Sequence, residues 1–154
     1  MSGSDEVMAR ITEAVTFRRK GDNESARVGL EAVWTEIGPD GDPFHRCVLA
    51  HYMADAQDGP REKLLWDQRA LDAAGSLTDE RAKEYHASLS VRGFYPSLHL
   101  NLAQDHHLLG DEARARDQIE RAKEVAHLLG DDGYGNTVRF AIARLDAEIG
   151  AGGP

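Results

Sequence analysis

The chain has 154 residues, 41% of them hydrophobic, enough for one shared core and too few for two ordinary domains. Its 27 acidic residues outnumber 18 basic ones, for a formal net charge of −9 without a long basic run, so a nucleic-acid partner is not expected. No apolar run is long enough to span a bilayer, and Met1 to Glu6 lacks the basic start and apolar stretch of a secretory signal, so no membrane partner is expected and a cytoplasmic location is the natural reading.

The first predicted element is a helical hairpin from about Glu6 to Ile37, with Ala14, Phe17, Ala26, Leu30 and Val33 at helical spacing around a Gly21-Asp22 turn. Arg18-Arg19-Lys20, the densest basic cluster, ends its first helix, where positive charge complements the helix dipole. A second hairpin begins with Leu49, Ala50 and Met53, turns at Asp58-Gly59-Pro60 and returns through Leu64, Leu65, Trp66, Ala70 and Leu71, out of register by about one residue. Cys47, the lone cysteine, sits among apolar neighbours of this hairpin and is read as a buried small residue, so an internal disulfide is excluded. Ser76-Leu77-Thr78-Asp79 offers a cap, and Ala82, Tyr85, Leu89 and Arg92 follow at helical spacing, which predicts an extra helix near 79–91. Gly93 and Pro96 favour a break over one kinked helix across 79–109.

The third hairpin has the clearest pattern. Ala103 lies seven residues before Gly110, and Ala115 and Ala122 share one face of the following segment, since positions seven apart return to nearly the same helical angle. Alanine there lets two helix axes approach closely, with Leu102, Leu109, Ile119 and Leu128 filling the space around the contact. Gly110 suits a left-handed helix stop, and Asp111 suits a cap for the next helix. Gly130 to Asn136 reads as a loop, because no strand precedes it, no lysine follows it and its two acids would repel phosphate. A last helix from Asn136 to Ile149 carries Val138, Ile142, Leu145 and Ile149, close to helical periodicity, and would cover the open end of a stack.

Residues from about Tyr95 to Leu129 resemble a tetratricopeptide repeat, whose pattern puts small residues at its eighth, twentieth and twenty-seventh positions. Ala103, Ala115 and Ala122 match those sites; His106 departs from the pattern, which usually has a tyrosine or another large residue there. The resemblance extends over residues 6–150 and is strongest in the third hairpin. It implies an all-α fold: a right-handed stack of about three antiparallel hairpins, the extra helix and a capping helix, in a single domain over 5–150, with tails at 1–4 and 151–154 expected to be disordered.

The same resemblance implies that function lies on the concave face made by the first helices. The groove positions carried over are Arg18 and Arg19, His51 and Asp55, then Asn101, Gln104 and His107, with Arg144 at the corresponding site of the last helix. This mixture of donors, acceptors and both charge signs suits a protein or peptide ligand, with Leu100 and nearby apolar residues adding contact area. A second copy of the chain is one form such a partner could take, making a homodimer. Family members that grip a C-terminal carboxylate use Lys, Arg and Asn at set positions, and here only Asn101 clearly fits.

Catalysis and cofactors find little support. Seven histidines are many, and His51 and Asp55, four apart, face the same way, yet two ligands do not make a metal site. Ser88, Ser90 and Ser97 lie near His86 and His99 without a strained Gly-x-Ser-x-Gly turn to present a nucleophile. No cofactor, resident metal or reaction is therefore expected. The alternative is a small-molecule-binding, metal-binding or catalytic variant, in which the extra helix closes a pocket around Tyr85, His86, Tyr95 and His99 with His51.

Overall fold

A computed structural model describes residues 3–77 and 95–152. Among these are seven α-helices and no strand, packed in neighbouring pairs. The chain divides into two compact units, Met1–Ser76 and Leu77–Pro154, where composition suggests one shared core.

In the first unit, α1 (Gly3–Arg19) pairs with α2 (Asn23–Ile37), and α3 (Pro43–Asp55) pairs with α4 (Pro60–Ala74). Helix α3 also touches both α1 and α2. The first turn has the predicted chemistry: Gly21 takes a positive φ of 88°, and the Asp22 carboxylate accepts from the Ser25 amide at 3.0 Å to cap α2. Ala14 and Gly29 mark a close approach of α1 and α2, since a Cβ on Gly29 would lie 3.2 Å from that of Ala14. Ile11, Leu30, Val33, Phe44, Leu49 and Ala50 fill the core.

The second hairpin is capped differently. Asp42 accepts from the Phe44 amide and Pro43 opens α3, while Pro60 opens α4, each proline sitting where the missing N–H has no helical partner. Helix α4 buries Trp66, Asp67, Ala70 and Ala74, and leaves Leu65 exposed and Leu64 and Leu71 half-buried. The shifted register of the return helix thus has a physical cause: the indole of Trp66 takes the inner face, and Leu65, about 100° around the helix, is turned outward.

The second unit holds α5 (Tyr95–Leu108), α6 (Glu112–Val125), a 3-10 turn at Ala126–Leu128 and α7 (Gly133–Gly152). Gly110 stops α5 at a φ of 80°, and Asp111 caps α6 by accepting from the Arg114 amide at 3.2 Å. Ala103, Ala115 and Ala122 are fully buried with Ile119, and α7 adds Val138, Ile142, Leu145 and Ile149 while packing on both α5 and α6. The 3-10 turn brings Leu129 into this core in place of Leu128, which is half-buried. Asp132, in the glycine-rich loop, accepts from the Gly135 amide at 2.7 Å, so it caps α7, which starts ahead of Asn136. Helices α1 and α7 reach Gly3 and Gly152, into the segments expected as tails. The extra helix near 79–91 and the break at Gly93 lie outside the described residues.

Candidate functional site

Helix α1 ends in Arg18 and Arg19, and α3 carries His51 and Asp55 one turn apart. Because α3 packs against α1, Arg18 and Asp55 meet. An Arg18 Nη lies 3.8 Å from an Asp55 carboxylate oxygen, both side chains 39% exposed. Arg18 Nε and His51 Nδ1 are each shielded from solvent without a hydrogen-bond partner, and the His51 ring lies 5.5 Å from that of Tyr52. A polar nitrogen removed from water without a partner costs about 1–3 kcal/mol. The face therefore carries a loose, partly exposed ion pair that an incoming group could displace, with an unmet nitrogen beneath the surface on Arg18 and another on His51. Arg19 is exposed and pairs with no carboxylate among the described residues.

The candidates of the second unit divide differently. Ser97, Asn101 and Gln104 follow one another at spacings of four and three, so they form one polar stripe on α5. The Ser97 hydroxyl is hydrogen-bonded to that of Tyr134 on α7, while Asn101 is half-buried and Gln104 exposed. His107 is taken up locally: its Nδ1 lies 2.8 Å from Glu112 Oε1 across the turn, which holds the ring at the end of the hairpin. Arg144 pairs with Glu148 one turn along α7 and is largely exposed. Leu100 belongs to the core and offers little contact area, contrary to the sequence reading, because its position on α5 faces the seam with α6 and α7.

Of the alternative pocket, Tyr85 and His86 lie outside the described residues. Tyr95 and His99 stack with ring centroids 6.2 Å apart, and His99 Nδ1 meets Gln118 Oε1 of α6 at 2.8 Å. Pairing with Gln118 ties this imidazole to its own hairpin. Among the described residues, no group of three or more His, Cys, Asp or Glu is placed to hold a metal ion, and no helix is long and apolar enough to cross a membrane.

Sequence reasoning did not find the cluster at the other end of the first unit. Trp34 of α2 and Trp66 of α4 meet edge to face at 5.1 Å. The Arg46 guanidinium of α3 lies 4.1 Å from the Trp34 ring centre, and that of Arg69 of α4 lies 4.4 Å from the Trp66 ring centre. A cleft of about 230 Å³ opens beside these arginines, lined also by Pro39, Gly41, Pro43, Asp72, Ala73 and Ser76. The available signal was two tryptophans and two arginines on three adjacent helices, a pairing that appears only once the hairpins are packed. Comparison with known protein families, curated proteins and solved structures finds no match to this chain.

Proposed function

We propose that this chain is a non-catalytic adaptor or regulatory module, a tetratricopeptide-like array that grips a protein or peptide segment on the face shared by α1 and α3. The observation that carries this reading is the Arg18–Asp55 pair between these helices, with Arg18 Nε and, one turn before Asp55 on α3, His51 Nδ1 buried and unsatisfied. An extended peptide carries carbonyls and amides at short repeat, the groups these side chains lack as partners. Arg19, one residue on, adds an exposed cation that pairs with no carboxylate among the described residues. The array itself is supported by packing within each unit, where a third helix lies against both members of a hairpin, as stacking requires. On the same reading Asn101 and Gln104 serve as polar contacts of the second unit, and a second copy of the chain is one candidate partner.

Selection of binders from a displayed peptide library tests this reading, with Arg18→Ala and His51→Ala run in parallel. Peptides captured by the unaltered chain should be lost by both variants at unchanged melting temperature. Equal recovery by all three proteins would remove the α1–α3 face as the binding site. Light scattering over a concentration series tests self-association, and a strict monomer throughout would remove the homodimer.

A further inference from the structure

The chain has more carboxylates than cations, and six of the twelve described arginines pair with one: Arg10 with Glu36, Arg18 with Asp55, Arg27 with Asp58, Arg114 with Asp111, Arg121 with Asp117 and Arg144 with Glu148. Arg46 and Arg69 do not, although both are half-buried and flank one cleft. Their guanidinium groups lie over indole rings, which fixes their positions and leaves the N–H edges available to a ligand. Arg46 spends one Nη hydrogen on the Gly38 carbonyl, which anchors it further, and Arg69 makes no hydrogen bond to a described residue. Two cations held in place, neither paired with a described carboxylate, form a preorganised receptor for an oxyanion, because the entropy of ordering long side chains has already been lost on folding.

The surroundings set limits on the guest. The cleft, at about 230 Å³, is smaller than the usual range for drug-sized ligands, which points to a compact one. The start of α3 at Pro43 and the end of α4 before Ser76 meet at this wall, so their helix dipoles oppose each other and the positive character comes from the two arginines. Asp72 is the opposing charge. It is exposed, with an oxygen accepting from Gln68 Nε2 at 3.0 Å, so solvent and that amide weaken its field without removing it. We propose that the cleft between α3 and α4 binds a small molecule bearing a carboxylate or phosphate group, held by Arg46 and Arg69, at a site separate from the α1–α3 face.

Both tryptophans of the chain belong to this cluster, so fluorescence excited selectively at tryptophan reports on it. The full-length protein is titrated with inorganic phosphate and, separately, with malonate, ionic strength being held with chloride, and calorimetry is run in parallel. A saturable response to phosphate alone identifies a phosphate ligand, and one to malonate alone identifies a carboxylate ligand. Arg69→Lys keeps the charge but loses the planar fork, and should weaken binding about tenfold or more. Asp72→Asn, a surface change that leaves packing intact, should tighten it. Linear responses indistinguishable from chloride would overturn the proposal, as would unchanged affinity in Arg69→Lys or unchanged or weaker affinity in Asp72→Asn.

Discussion

Cys47 sits on the inner face of α3, and burial pushes its thiol up to about 12. A thiol so far above neutrality holds almost no thiolate, the species that attacks electrophiles. Cys47 should therefore resist a thiol-reactive dye in the native protein at pH 7 and react quickly in denaturant; equal rates in the two conditions would contradict its burial. That residue was legible, since a lone cysteine among apolar neighbours at helical spacing has few other places to go. His107 was less so. Its groove position was carried over from a repeat pattern, whereas its environment depends on Glu112, five residues on and beyond the turn. Local spacing places a side chain on a helix face; it does not show which acceptor the next helix brings to it.

At the scale of elements, the small residues decide where helices touch. Ala103, Ala115 and Ala122 have no exposed surface and surround Ile119, also fully buried, so truncating Ile119 would leave a cavity among closely placed axes. Ile119→Ala should cost about 2–5 kcal/mol in urea unfolding, whereas Phe140→Ala, at a ring 70% exposed on α7, should stay within about 0.5 kcal/mol. Comparable losses in the two variants would mean that the seam is misplaced. The hairpins around Gly21-Asp22 and Gly110-Asp111 were readable because turn glycine, capping acid and alanine spacing agree with one another. In the return helix α4 the slip of about one residue was visible in the sequence, but its setting was not, because Trp66 meets Trp34 across helices, a contact that periodicity cannot encode. The same contact carries Arg46 and Arg69, which is why the cleft beside them has no trace in the sequence pattern. Arg18, His51 and Asp55 were named from the repeat pattern, whereas the Arg18–Asp55 contact and the unsatisfied atoms appear only in the packed structure.

For the whole molecule, acid is the condition that acts on most groups at once. Asp22 is held below its ordinary value by hydrogen bonds from the Ser25 hydroxyl and amide, and Glu36 by its hydrogen bond and charge pairing with Arg10. A carboxylate with a lowered folded pKa contributes stability that is fully present above its unfolded value, about 4. That contribution is lost as pH falls through the folded value, when the native state also takes up the proton. Protonation also removes 27 negative charges and leaves 18 Lys and Arg with seven His, all positive, so self-repulsion replaces the modest excess of acid present at neutrality. Both effects have the same sign. The urea midpoint should accordingly be clearly lower at pH 3 than at pH 7, and raising the salt at pH 3 should restore part of the difference by screening the cations. In Asp22→Asn the amide oxygen can still accept from Ser25 but cannot titrate, so the fall between the two pH values should be smaller than in the unaltered chain. A fall of the same size would show that the Asp22 cap contributes nothing through its charge, and equal midpoints at the two pH values in the unaltered chain would rule out the linkage altogether.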